Sequence, residues 1–161
     1  MTHSRAAGRI TEGIVMTDKM SIAIAAGGTA GHVNPALALA DELASRGHDV
    51  RFFGETRRLE GKLVPEAGFD FFPVEVTGFD RARPWTLITA LAHLSREERR
   101  LVRAFKKNPA LKPDVAIGFG AYVELSLVRA AAKLGIPVVL HEQNSVPGLA
   151  NKQSAKIASL V

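Results

Sequence analysis

Three short runs in this sequence carry glycines and polar groups in patterns that packing alone does not require. The first is Gly27-Gly28-Thr29-Ala30-Gly31-His32, the second Gly118-Phe119-Gly120-Ala121-Tyr122, and the third His141-Glu142-Gln143-Asn144-Ser145. Each follows an apolar stretch of strand type. Glycines before a helix let the backbone turn tightly and present N–H groups, and the helix dipole adds partial positive charge, which together suit a diphosphate. The bland alternative for the first run is a turn that only packs helix on strand. His32 at the helix entrance, as a neutral imidazole, is placed to take a proton from a sugar hydroxyl, or simply to bond the loop. Tyr122 either donates to a phosphate or sugar oxygen or packs over the sheet edge. The third run is the most informative by residue type, because amide and carboxylate groups in a row match the hydroxyls of a sugar.

Other chemistries are disfavoured. Gly27 and Gly28 are followed by Thr29, so the G-x-G-x-x-G spacing of a dinucleotide site fails, and Phe53-Gly54 precedes Glu55 where a ribose-binding acid is wanted. There is no cysteine, no serine in a G-x-S-x-G elbow and no D-x-D. The histidines lack partners at i+4, so neither a metal site nor a cofactor is expected.

The elements that must position these runs alternate. Strands are expected at Ser21–Ala26, Asp49–Phe53, Asp70–Val76, Pro113–Ile117 and Ile136–Leu140, the third near an edge because of Pro73. Helices are expected from Asn34 or Pro35 to Gly47, over Leu59–Ala67, over Pro84–Lys107, over Val123–Leu134, and from Pro147-Gly148 through Ile157. Ser95 with Glu98 has capping-box form and predicts a break in the long helix near Ser95. Ser159–Val161 reads as the start of another strand. Unbroken apolar strands alternating with helices imply an α/β fold, a Rossmann-like doubly wound parallel sheet. In such sheets ligands sit outside the carboxyl ends of the strands where strand order reverses, which is where all three runs emerge.

With 161 residues, 47% hydrophobic and 23% charged, the chain suits one globular domain. The longest stretch without Lys, Arg, Asp or Glu, Met20–Ala40, has glycines, His32, Asn34 and Pro35 inside it and is no membrane span. Residues 1–19 are polar and without period and are expected to be a disordered extension, with Met16 or Met20 a candidate start. The net charge of +5 is concentrated: Arg81, Arg83, Arg96, Arg99, Arg100, Arg103, Lys106, Lys107 and Lys112 are opposed in that span only by Glu97 and Glu98. Such a patch suits an anionic partner.

The three runs, in this order and spacing, resemble one family. GGTAGHVNPALALADEL (Gly27–Leu43), KPDVAIGFGAYV (Lys112–Val123) and GIPVVLHEQNSVPGLANK (Gly135–Lys152) are similar to the two glycine loops and the HEQN segment of MurG proteins. The resemblance covers the chain from about Met20 onward. It implies the amino-terminal, acceptor-binding domain of a two-domain GT-B glycosyltransferase over residues 20–161, with the donor-binding domain absent and this part inactive alone. The implied reaction moves N-acetylglucosamine, with inversion, from UDP-N-acetylglucosamine to a lipid-linked muramoyl-pentapeptide diphosphate in bacterial peptidoglycan synthesis. By motif, Gly28, Thr29, Ala30, Gly31, His32, Gly120 and Tyr122 would receive the acceptor diphosphate, with His32 the candidate general base. Glu142, Gln143, Asn144 and Asn151 would line the sugar cleft. The resemblance also implies peripheral attachment to the cytoplasmic face of the cell membrane, with no nucleic-acid partner. Trp85, Leu87 and Ile88, joined by Leu91, with Arg96, Arg99, Arg100, Arg103, Lys106 and Lys107 would form that patch. The alternative there is an amphipathic helix whose apolar stripe is core and whose charges are solvated.

Two features depart from the family pattern, in which the second loop reads G-G-Y with serine and proline soon after. Here Ala121 replaces a glycine, and Glu124 and Ser126 occupy the later places, which predicts weaker acceptor binding. A second reading of the function is an acceptor-binding subunit that works with a separate donor-binding partner.

Overall fold

The computed structural model of the chain describes residues 19–75, 82–83 and 85–161. The expected extension up to residue 18, the end of the third strand at Val76, and Arg81 and Pro84 lie outside the described residues. Five parallel strands, β1 (Ser21–Ala25), β2 (Asp49–Gly54), β3 (Asp70–Pro73), β4 (Val115–Gly118) and β5 (Val138–Leu140), form one sheet in the order β3-β2-β1-β4-β5. Between them run α1 (Ala30–Ser45), α2 (Leu59–Glu66), α3 (Thr86–Lys107) and α4 (Tyr122–Lys133), and α5 (Leu149–Ser154) follows β5. The chain builds outward from β1 in one direction, then returns to its other side at β4. This reversal is the switch point of a doubly wound sheet.

Successive strand residues face opposite sides, and β1 shows how that makes two cores. Ile22 and Ile24 pack with Phe52 and Ile117 under Ala36 and Ala40 of α1 and Val64 of α2. Ala23 and Ala25 turn the other way, toward Phe53, Leu101 and Phe105 of α3, and Leu127 and Val128 of α4. Both faces of the sheet are therefore covered, as uninterrupted apolar strands require. Pro73 sits on β3, an edge strand, where its missing N–H removes no bond from the sheet interior. Beyond β5, Ser159 N–H donates to the Val138 carbonyl (2.8 Å) and Leu140 N–H to the Leu160 carbonyl (3.0 Å). Where the further strand is expected, at Ser159–Val161, the described residues hold one isolated parallel bridge, between Val139 and Leu160.

Two expectations about helices are corrected. The first helix starts at Ala30, not at Asn34 or Pro35. Thr29 is its cap residue in extended conformation, and the Thr29 carbonyl already accepts from the N–H groups of His32 and Val33, each at 3.1 Å. His32 is therefore in the first turn, and Pro35 lies inside the helix, where its ring leaves the Gly31 carbonyl without an i+4 donor. The second correction is that α3 is continuous through Ser95. Glu98, which a capping box would turn back on its own backbone, instead reaches α4, accepting from Arg129 Nε (2.8 Å) and Lys133 Nζ (2.7 Å). Burial works against the Glu98 charge, but the hydrogen bonds and charges of Lys133 and Arg129 outweigh it and hold the carboxyl below its ordinary value. A two-cation tertiary partner outcompetes a local cap.

Candidate functional site

The loops after β1, β4 and β5 meet at the carboxyl edge of the sheet, around the switch point. A cleft of about 270 Å³ opens there, lined by His32, Gly120, Tyr122, Glu142, Asn144 and Asn151, with Ala121 and Gly148–Ala150 completing it. Six of the residues singled out in the sequence, five by type and Asn151 by the family resemblance, thus share one cavity, although they lie on three separate segments of chain. Gln143 is exposed and outside the lining, and Gly28–Gly31 are exposed on the turn leading to His32.

The first loop is held by a residue that sequence reasoning did not find. Glu60, on α2 and only 2% exposed, accepts from Gly28 N–H (3.1 Å) with one oxygen and from Glu55 N–H (3.2 Å) with the other. It ties the exits of β1 and β2 together. A Cβ at Gly27 would lie 2.5 Å from Glu60 Oε1, and one at Gly54 would lie 2.7 Å from its Cγ, so both glycines make room for this carboxylate. The signal available was weak: Glu60 shares a helical face with Val64, four residues on and also buried. Because Gly28 gives its N–H to Glu60, it does not present that group to a ligand. The amides left at the start of α1 are those of Ala30 and Gly31, ahead of the first intrahelical bonds.

His32 is half-buried, and its Nδ1 lies 2.9 Å from Thr29 Oγ1. A Cβ at Gly120 would lie 2.9 Å from both Cδ2 and Nε2 of the ring. Only a glycine lets the imidazole lie with its Cδ2–Nε2 edge against the second loop, beside the cleft. Gly120 also has φ of 95°, in the left-handed region that favours glycine. Ala121 follows with φ 69° and ψ 165°, and it is the only non-glycine residue with positive φ among the described residues. The departure from glycine at this place is thus a strained one.

The third loop is organised by Glu142. One oxygen accepts from the backbone N–H and side-chain amide of Asn144, both at 2.9 Å; the other accepts from Gly148 N–H (3.1 Å) and Asn151 Nδ2 (2.8 Å). Partial burial opposes its charge, yet these four bonds prevail and bring its pKa down to about 2. All four lone-pair positions are used, so Glu142 staples the loop instead of offering itself to a sugar hydroxyl. The same bond engages Asn144 Nδ2 and leaves its carbonyl oxygen for a ligand. Asn151, buried on α5, also donates to the His141 carbonyl (3.3 Å) and joins the loop to the helix. His141 stacks on Phe119 at 4.8 Å between ring centroids.

A pH prediction follows. A carboxyl whose pKa falls from 4.5 to about 2 on folding stabilises the fold fully above pH 4.5 and loses that contribution as pH falls toward 2. Protection of the Asn144 and Gly148 amides against exchange, relative to their intrinsic rates at each pH, is expected to be lost as the pH falls across that window in the wild type. In Glu142→Gln exchange is expected to be fast already at pH 6 and to lack the added acid step. Identical acid profiles in the two proteins would refute the staple.

Behind the second loop, Glu124 is fully buried on α4. One of its oxygens accepts from Gly120 N–H, and the other has no hydrogen-bond partner. Burial pushes its carboxyl up; the Ser154 hydroxyl and the Gly120 amide pull it down, and the Glu142 charge pushes it up again. A Cβ at Gly118 would lie 2.5 Å from Glu124 Cγ, so the side chain fills the space above β4.

Away from the cleft, Trp85 and Ile88 are 66% and 73% exposed, and Leu87 and Leu91 are exposed too, so the reading of this stretch as core is not met. Only the carboxyl-terminal half of the α3 stripe, Leu101 and Phe105, is buried. An apolar groove of about 740 Å³ runs between α3, α4 and α5 past Leu87, Leu91, Leu94, Leu125 and Ile157. Tyr122, Leu149 and Ala150 line both groove and cleft, so the two adjoin. Arg96, Arg99, Arg103, Lys106 and Lys107 are exposed along α3. Arg100 differs: it is bonded to Glu97 and the Pro73 carbonyl and lies 5.1 Å over the Phe72 ring.

A doubly wound sheet with a cleft at its switch point, built from two glycine loops without a dinucleotide fingerprint and an amide-rich third loop, defines the Rossmann-like half of a GT-B glycosyltransferase. The chain belongs to the glycosyltransferase family 28 N-terminal domain family, which it matches over residues 22–161. It is 41% identical over 145 residues to the UDP-N-acetylglucosamine–N-acetylmuramyl-(pentapeptide) pyrophosphoryl-undecaprenol N-acetylglucosamine transferase of Halothermothrix orenii, covering 88% of this chain and 38% of that protein. It is 44% identical over 139 residues to the same-named protein of Halalkalibacterium halodurans, with 83% and 36% covered. Among solved structures, Acinetobacter baumannii MurG superposes with a TM-score of 0.73 at 32% identity, over 89% of this chain and 40% of that one. The chain spans well under half the length of the relatives it matches. A kitacinnamycin glycosyltransferase, at TM-score 0.60 and 21% identity, shares the fold.

Proposed function

We propose that this chain is the acceptor-receiving part of a transferase that moves N-acetylglucosamine from its UDP donor to a lipid-linked muramoyl-pentapeptide diphosphate, the reaction for which its relatives are named. The observation that carries this reading is the placement of the His32 ring in one cleft with Asn144 and Asn151, beside the open start of α1. In this scheme the acceptor diphosphate lies on the Ala30 and Gly31 amides, where the helix dipole favours anions. Asn144 and Tyr122 position the muramoyl sugar. His32 Nε2 takes the proton of the attacking hydroxyl while the new glycosidic C–O bond forms and the bond to UDP breaks, UDP leaving with the electron pair. Donor binding falls to a second domain, in the length of the relatives that this chain does not cover.

The test joins the chain to the carboxyl-terminal part of the Halalkalibacterium halodurans relative and supplies UDP-N-acetylglucosamine with the lipid-linked acceptor. Transfer by the joined protein and none by the chain alone is expected. Absence of saturable acceptor binding to the chain would sink the proposal.

The same reading places the chain peripherally on the cytoplasmic face of the membrane. No helix among the described residues is long and apolar enough to cross a membrane. Trp85 and Ile88 extend the groove into an exposed apolar surface, and the free cations of α3 lie alongside, an arrangement suited to anionic lipid. Trp85→Ser with Ile88→Ser should weaken binding to vesicles containing anionic lipid by at least about tenfold, each side chain contributing roughly 1.5–3 kcal/mol when fully buried. Vesicle binding unaffected by the double substitution, or by salt, would count against this surface.

A further inference from the structure

We propose that Glu124 is a specificity-determining residue: its carboxyl acts as an internal anion under the second glycine loop, so that this loop excludes phosphate and the cleft takes its anionic group only at the start of α1. The inference rests on the acceptor reading above and assigns the two glycine loops different roles.

The two loops look alike in sequence, and in both a buried glutamate takes a glycine N–H: Glu60 from Gly28 and Glu124 from Gly120. The resemblance ends there. Glu60 uses both oxygens on backbone amides at the exits of two strands and leaves the Ala30 and Gly31 amides open. Glu124 stands at the third position of α4, directly beneath that helix's first turn, with Ala121 as cap residue. Its carboxyl therefore stands at the N-terminal end of the dipole and, when ionised, offsets the feature that would attract a phosphate. It also occupies the amide of Gly120, the residue of this loop that lines the cleft against His32.

Two further observations agree. The carboxyl of Glu124 is buried, one of its oxygens makes no well-formed hydrogen bond, and from α5 only the Ser154 hydroxyl acts on it. A carboxyl kept in so incompletely bonded a place has no packing advantage over an apolar side chain. Glu142 adds a second carboxylate on the same side of the cleft, its charge acting on Glu124. Besides Glu124 itself, the titratable groups around this loop are thus Tyr122 within it, Glu142 on the third loop, His32 on α1 and Glu60 behind the first loop, so that three of the five are acids. What fits against Gly120, Tyr122 and Asn144 is a neutral, hydroxyl-bearing group.

The test uses inorganic pyrophosphate as probe and the backbone amide signals of the 15N-labelled chain as readout. In the wild type, signals of Ala30 and Gly31 are expected to shift and those of Gly120 and Ala121 to stay. Glu124→Ser frees the amide and removes the charge, so shifts should spread to Gly120 and Ala121 and affinity rise at least about tenfold, the worth of one hydrogen bond to an anion. Glu124→Gln removes the charge but keeps an oxygen on Gly120, and its affinity should fall between the two. Perturbation of Gly120 in the wild type, or no gain in either variant, overturns the proposal; if the serine form does not fold, the glutamine form decides alone. Absence of any shift at Ala30 and Gly31 overturns the diphosphate reading of the first loop instead, and this partition with it.

Discussion

Replacing His32 by alanine is expected to slow transfer by about a hundred- to ten-thousand-fold in the protein joined to a donor-binding domain, the usual worth of a positioned general base. The geometry makes this the largest effect on activity. The imidazole is fixed on one side by Thr29 Oγ1, 2.9 Å from Nδ1, and on the other by the bare backbone of Gly120. For Nε2 to accept a proton, Nδ1 must carry the hydrogen and donate it to Thr29. Thr29→Val removes that acceptor at nearly constant shape and should reproduce part of the loss, with the bell of the pH–rate profile displaced. His32 is half-buried and outside both core clusters, so the thermal midpoint of His32→Ala should stay within a few degrees of wild type. Transfer that survives His32→Ala within tenfold would remove this residue from the role of base.

The largest gain in stability is expected from Ala121→Gly. An alanine at φ 69° and ψ 165° occupies a region open essentially to glycine alone, at a cost of about 1–3 kcal/mol. The greater freedom of glycine in the unfolded chain offsets about 0.4–1 kcal/mol of this, leaving a net gain of up to about 2.5 kcal/mol. For a chain of this size that raises the melting temperature by roughly 2–4 °C per kcal/mol. The substitution should also widen the mouth of the cleft, because the Ala121 methyl faces the first loop, 3.9 Å from where a Cβ on Gly28 would stand. Thermal unfolding with acceptor-binding measurements on the same protein checks both effects. A lower melting temperature would mean that the loop in solution escapes the strained conformation.

Much of the site was open to view in the residues themselves. Gly120, His32, Tyr122 and Asn144 stand out by type and position and Asn151 by the family resemblance, and they line one cavity because strand-exit loops in a parallel sheet share an edge, with α5 beside them. Edge placement of β3 followed from Pro73 alone. The differences are of two kinds, local and long-range. Asn34 or Pro35 reads as the helix start, but the Thr29 carbonyl a few residues earlier captures His32 and Val33. Ser95 and Glu98 had the form of a cap, but Arg129 and Lys133, more than thirty residues away, offered Glu98 a charged pair. Glu142 looked like a sugar ligand, and the fold made it a staple.

What the sequence determined by itself was the alternation of strand and helix, the parallel sheet and the three loops. These depend on periodicity and on glycine and proline, which act within a few residues. Only the tertiary structure decided where each carboxylate would go. Glu60, Glu98, Glu124 and Glu142 are chemically alike, and each was assigned its role by which amides and cations the folded chain placed around it, since a buried charge must find partners wherever they lie.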